Sequence, residues 1–271
     1  MDFHFDLSLA ENYHSNSQKI RVMSENWVGK NVFCPICGNP HICNLSNNMP
    51  VADLQCDNCG EIFELKSKKG NISSKISDGA YSTMIERINS SSNPDLFIMS
   101  YTADYQVKDL LLVPKFFFVD SIIEKRKPLA PTAKRAGWIG CNIVFGDIPT
   151  QGKLRLIDNQ IVSDVSKIVE NYAHIKSLQT NNLESRGWLL DVLNCVNAIP
   201  DTEFSLQDVY AFVEQLQEKH IDNHNVEAKI RQQLQQLRDK GFIEFTTKYS
   251  LQGTTQGRYL TGGVPPVRFS M

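Results

Sequence analysis

No stretch of the 271 residues is apolar for the roughly 18 positions that a membrane-spanning helix needs. The chain also lacks an opening basic segment followed by an apolar one. Its first ten residues are acidic and alternate in character, so no export signal is expected and the expected compartment is the cytoplasm. There is no excess of charge: 28 Lys and Arg stand against 30 Asp and Glu, a net of -2. Composition alone therefore does not point to nucleic acid, and local clusters have to make that case. Internal repeats, low-complexity tracts and a glycine-rich nucleotide loop are all missing, which excludes solenoids and disfavours a nucleotide-dependent oxidoreductase. What remains is an ordinary globular balance, 41% hydrophobic and 21% charged, in a length that suits two domains.

The seven cysteines are the first positive signal. Without an export signal they are not expected to form disulfides. Cys34 and Cys37 make one CxxC pair, and Cys56 and Cys59 a second, each beside turn formers (Gly38-Asn39-Pro40 and Gly60). Two such knuckles can present four thiolates as a tetrahedron, the closed geometry of structural Zn²⁺. A redox CxxC would not explain two pairs so close together. Cys43 reads as a spare thiol and His41 as a weaker alternative ligand, while Cys141 and Cys195 lie in apolar runs and read as core.

Residues 9–28 suit a helix with Ile20, Met23 and Trp27 on one face. Strand-like runs follow at 51–55, 61–67, 96–101, 110–113, 141–145 and 154–157, with a helix expected over 78–88 and a Ser- and Asn-rich loop after it. This is an α/β pattern. The polar stretch near 179–182 marks a boundary. Beyond it lie three amphipathic segments, 184–198, 205–220 and 225–240, the last with Val226, Ile230, Leu234 and Leu237 on one face. Ser205 and Asp208 suit a helix start. Two β-like runs, 242–247 and 257–260, complete an α+β winged-helix pattern. The expected division is therefore 1–180, 181–260 and a loosely ordered tail at 261–271.

The sharpest chemistry lies in Asp53 and in Glu64-Leu65-Lys66. In a strand, Glu64 and Lys66 share a face while Phe63 and Leu65 take the other. Asp53, on the preceding strand, could approach them across a hairpin. Two carboxylates there, with the Leu65 carbonyl as a third oxygen, suit Mg²⁺, which keeps several waters. A metal-bound water can attack a phosphate, and Lys66 would orient it or offset the developing charge. The plain alternative is a hairpin with solvated surface charges. Against that, Cys56 and Cys59 lie between Asp53 and Glu64, so a zinc would clamp the very hairpin that carries the acids.

With HSNSQK at 14–19, CPICGN at 34–39, VAD at 51–53, FELKSKKGN at 63–71 and DGAYSTM at 78–84, the chain resembles the methyl-directed, Dpn-type restriction endonucleases, the dam-replacing family. RKPLAPTAKRAGWIGCNI at 126–143, KIRQQLQ at 229–235 and LRDK at 237–240 carry the resemblance onward, to about residue 260. It implies a PD-(D/E)XK nuclease core with an inserted four-cysteine zinc site, followed by a winged helix. The implied activity is Mg²⁺-dependent cleavage of double-stranded DNA at GATC carrying N6-methyladenine. The matching positions are Asp53, Glu64 and Lys66 for catalysis and Cys34, Cys37, Cys56 and Cys59 for zinc. Ala52 stands where the broader nuclease motif has proline.

Residues 125–135 hold Lys125, Arg126, Lys127, Lys134 and Arg135 and no acid, and Trp138 follows between Gly137 and Gly140. That combination suits phosphate contact with a ring free to stack on a base or wedge into the duplex; the alternative is a core tryptophan. Trp27 and Trp188 read as core. Residues 183–224 carry two basic and eight acidic side chains, whereas 225–260 carry six basic and three acidic. On the last helix Lys229, Arg231, Gln232 and Gln235 lie off the apolar stripe and suit base or phosphate contact, against the alternative of a solvated face. The leading expectation is a methyl-directed DNA endonuclease. Its rivals are a non-enzymatic zinc and winged-helix DNA-binding regulator, and a nuclease of the same fold with another target.

Overall fold

The structure, a computed structural model, describes residues 1–45, 52–90, 93–180 and 182–246, with backbone alone at 246 and at 256–259. The expected tail, 261–271, lies outside the described residues, as do Val51, Thr247 and Leu260 from the expected strands.

A seven-stranded mixed sheet forms the centre. It contains β1 (Cys43–Asn44), β2 (Leu54–Gln55), β3 (Ile62–Lys69), β5 (Asp95–Tyr101), β6 (Val107–Val113), β9 (Leu154–Asp158) and β10 (Ile161–Val162), side by side in that order. Only β3 and β5 run parallel, from Phe63↔Asp95 to Lys69↔Tyr101. Every residue of β5 is buried, as expected of a central strand covered on both faces. Phe63 stacks on Phe97 at 5.0 Å beneath it. Helix α1 (Asn16–Asn31) buries Met23, Trp27 and Val28 against this sheet, and the Trp27 indole donates to the Asp2 carbonyl at 2.9 Å.

A second, three-stranded sheet has the order β4 (Lys75–Ala80), β8 (Gly140–Val144), β7 (Ile123–Lys125). Here the expected helix over 78–88 is corrected. Residues 75–80 alternate exposed and half-buried and pair with β8, so the chain is strand through Ala80, and helix α2 (Tyr81–Asn89) begins after it. Gly79 weakens a helix at this point, and the waiting edge of β8 supplies the ladder instead. The first helix is likewise shorter than expected. Leu7–Ala10 is a separate 3₁₀ turn capped by Asp6, and α1 starts only after Ser15.

After α3 (Val165–Lys176) come α4 (Leu183–Ala198), β11 (Glu203–Ser205), α5 (Leu206–Tyr210), α6 (Val213–Lys219), α7 (Val226–Asp239), β12 (Ile243–Thr246) and β13 (Gln256–Tyr259). The last three strands form a sheet of order β11-β13-β12. Ser205 and Asp208 do form a reciprocal capping box. The expected single helix over 205–220 is broken, however. Phe212 packs on the core and its backbone, at φ -96° and ψ 7°, leaves the helical region. On α7 the four apolar residues at 226, 230, 234 and 237 are all buried.

Helix α4 is buried along most of its length. One side meets connections between the preceding strands: Arg186 donates to the Phe118 carbonyl at 3.1 Å, and Asn197 exchanges hydrogen bonds with Gln151 at 3.0 and 3.1 Å. The other meets α6 and α7. Trp188 stacks on His220 at 3.8 Å, and Asp191 accepts from Lys219 and pairs with His220 at 2.8 and 2.9 Å.

Candidate active site and metal centre

Both CxxC pairs fold into the same tight turn. Gly38 N–H donates to the Cys34 carbonyl and Gly60 N–H to that of Cys56, at 2.9 and 2.8 Å. Gly38 and Gly60 have φ of 75° and 74°, a region that glycine enters at little cost. The turns bring the four Sγ atoms within 4.8 Å of one another. Cys34 to Cys59 is 3.7 Å and Cys37 to Cys56 is 3.6 Å. A disulfide is about 2.05 Å, whereas a tetrahedron of Zn–S bonds of about 2.3 Å has an edge of about 3.8 Å. The donor set therefore fits a zinc ion. Burial pushes the Cys34 thiol well up and Cys59 up to about 11. Burial also opposes ionisation of Cys37, but hydrogen bonds from the Asn58 side chain and the Asn39 backbone bring it down to about 7. A bound cation would let all four ionise together. Exposed His41 is outside this cluster. Cys43 is also outside it and donates to Asp57 at 2.8 Å, while Cys141 and Cys195 are buried.

The second knuckle is the tip of the β2–β3 hairpin. Just outside its base, Asp53 N–H donates to the Phe63 carbonyl at 2.9 Å, and Asp53 Oδ2 accepts from Leu65 N–H at 2.9 Å. The two bonds fix Asp53 beside β3. Asp53, Glu64, Leu65 and Lys66 all line one groove of about 680 Å³, whose other wall includes Ser17, Arg21 and Glu25 of α1 and Lys75 and Ser77 of β4. Lys66 Nζ lies 2.6 Å from Glu64 Oε1 and 2.6 Å from Asp78 Oδ1. Burial disfavours the Lys66 charge, yet the two carboxylates together hold its pKa above the usual value. The second Glu64 oxygen accepts from Arg87 of α2 at 2.9 Å. Two carboxylates and a backbone carbonyl are hard oxygen donors, the chemistry Mg²⁺ takes. Among the described residues no third carboxylate closes on this pair tightly enough to make a three-acid cluster.

Four groups at this site reach it from elements other than the hairpin. Arg21 approaches Asp53 at 3.6 Å and pairs with Glu25 at 2.6 Å. Burial raises the Glu25 pKa, with the Asp53 charge adding to that and Arg21 opposing it. Arg87 and Asp78 complete the set. The i, i+4 spacing of Arg21 and Glu25 on one helix was the available signal for the first two. Asp78 was masked by its assignment to a helix.

The basic stretch is the β7–β8 connection. It closes as a loop through Arg126 N–H to the Gly140 carbonyl and Leu129 N–H to that of Trp138, both at 2.9 Å. Lys134 and Arg135 are exposed, and the Arg135 guanidinium lies 4.5 Å over the half-buried Trp138 ring. Trp27 and Trp188 are core, at 3% and 0% exposure. On α7, Arg231, Gln232 and Gln235 are exposed. Lys229 is half-buried, its ammonium 6.0 Å over the Trp188 ring, and Arg231 donates to the Tyr210 hydroxyl.

No helix among the described residues is long and apolar enough to cross a membrane. Residues 184–252 match the model of the Dam-replacing HTH domain, and residues 1–181 that of the Dam-replacing family. With two thirds of its length under that second match, the chain belongs to the Dam-replacing family, which points to a methyl-directed restriction endonuclease that binds DNA.

Proposed function

We propose that this protein hydrolyses double-stranded DNA at GATC sites carrying N6-methyladenine, in a Mg²⁺-dependent reaction at Asp53, Glu64 and Lys66 of a PD-(D/E)XK core. The observation that carries this is the hairpin. Asp53 and Glu64 stand at the open end of the two strands whose tip holds half of the cysteine cluster. Asp53, Glu64 and the Leu65 carbonyl would hold the Mg²⁺, which supplies Lewis-acid charge and acidifies a bound water. The Leu65 N–H keeps Asp53 turned toward that position. Lys66 brings a positive charge to Glu64, beside which charge on the attacked phosphate would build. Hydrolysis then adds water across one P–O bond.

Lys134, Arg135 and Trp138 of the β7–β8 loop are proposed to meet DNA, as are Lys229, Arg231, Gln232 and Gln235 of α7 in a winged-helix domain spanning 181–260. The N6-methyl group rewards an apolar pocket by only about 1 kcal/mol, so two readers that both prefer it would add their preferences. One observation favours a non-enzymatic DNA-binding regulator instead: both Glu64 oxygens are already held by cations.

A plasmid prepared with and without adenine methylation at GATC, digested in Mg²⁺, separates the readings. Cutting of the methylated form alone is expected. Glu64→Ala should slow that cutting by at least on the order of 100-fold while binding persists. Binding without cutting by the unaltered protein would establish the regulator, and equal cutting of both plasmids would remove the methyl dependence.

A further inference from the structure

We propose that Asp78 is a positioning residue that holds Lys66 in place for cleavage and ties that placement to the β7–β8 loop; this rests on the nuclease reading above. Asp78 belongs to neither the acid hairpin nor the central sheet. Its side chain is 5% exposed, and its Oδ1 sits 2.6 Å from Lys66 Nζ, opposite Glu64. A Glu64 carboxylate engaged with a cation has less charge to offer Lys66. Asp78 is then the anion that keeps the ammonium at the site.

The strand that carries Asp78 is bonded to the root of the basic loop. Asp78 pairs with Cys141 and Ala80 with Gly140, and the register shifts between these two pairs. Cys141 Sγ donates to the Gly79 carbonyl at 3.6 Å within that irregularity. Tyr81 N–H donates to the Ile139 carbonyl at 3.1 Å. The Trp138 ring lies directly over Gly140, where an added Cβ would meet it at 2.8 Å. Trp138, Gly140, the irregular turn of β4 and Asp78 thus form one packed path that ends at the Lys66 ammonium. A shift of Trp138 on a base would press on the residues that set where Asp78 stands.

The test is a double-mutant cycle of Asp78→Asn and Trp138→Ala, with kcat read in single turnover and duplex affinity read in Ca²⁺. For D78N the expected result is a loss on the order of 10- to 100-fold in kcat with affinity within about twofold. Because each change breaks the same path, the double variant should be slower than D78N by less than W138A alone is slower than wild type. Wild-type kcat in D78N, or a loss confined to affinity, would overturn the positioning role. Strictly multiplicative losses would overturn the coupling. Should D78N fold poorly, Asp78→Glu keeps the charge and displaces it by one methylene, and a reduced kcat at unchanged affinity is again expected, with wild-type kcat overturning the role. Failure of the unaltered protein to cut methylated DNA would count against the nuclease reading, whereas cutting that survives D78N counts only against this one.

Discussion

Among the described residues, Asp95 is the most deeply buried carboxylate. It accepts from the Lys115 N–H and the Tyr172 hydroxyl, both at 2.8 Å. Burial nevertheless outweighs these bonds and pushes its pKa from 3.8 up to about 6. The folded chain therefore binds this proton more tightly than the unfolded chain. The stabilisation it brings is complete below pH 3.8 and is lost as pH rises through about 6. Asp95→Asn removes that dependence. Between pH 7 and pH 5 the urea stability of wild type should gain on that of D95N, by at most about 1.4 kcal/mol per pH unit. Taking the difference cancels the common pH dependence of the cysteine cluster. A gap that stays constant with pH would refute the assignment. At this scale the cysteines and the pair Asp53 and Glu64 were legible in the sequence, because turn spacing and strand alternation are local rules. Arg21, Glu25, Asp78 and Arg87 were not, because packing of separate elements brings them to the side chains of Asp53, Glu64 and Lys66.

Among the elements, the β7–β8 loop and α7, both proposed to meet DNA, would present different chemistry to a duplex. The loop offers exposed cations, Lys134 and Arg135, and α7 offers exposed amides, Gln232 and Gln235. Lys134→Ala should weaken binding equally for all sequences and lower the salt slope of log K by about 1. Gln232→Ala should leave that slope alone and cost about 1–3 kcal/mol of discrimination. Fluorescence titrations at several salt concentrations, on GATC and scrambled duplexes, distinguish the two. An unchanged slope in K134A would remove the loop from the phosphate contacts. Most strands and α7 matched their apolar patterns to within a few residues. Where the pattern misled, tertiary partners decided: β8 draws residues 75–80 into a ladder, and Phe212 turns into the core and breaks the helix.

For the whole molecule, α4 is the joint. It starts just after the polar boundary read from the sequence, yet its two sides are packed against different parts of the chain. A chain ending at residue 181 would uncover the surface that meets Arg186 and Asn197, whereas one ending at 199 would keep it. The shorter form should therefore melt lower, and scanning calorimetry on both would show it. Equal melting temperatures would mean that α4 contributes nothing to the first part.

The hairpin that joins the cysteine cluster to Asp53 and Glu64 also bears on how inhibition by chelators is interpreted. On the proposed reading, a strong chelator would strip two ions, one for chemistry at Asp53 and Glu64 and one held by the four cysteines that keeps the two strands in register. Lost cutting after such treatment does not identify which was taken. Recovery distinguishes them: a purely catalytic loss returns as soon as magnesium is restored, whereas a loss of the clamp persists until zinc is returned and the hairpin has closed again.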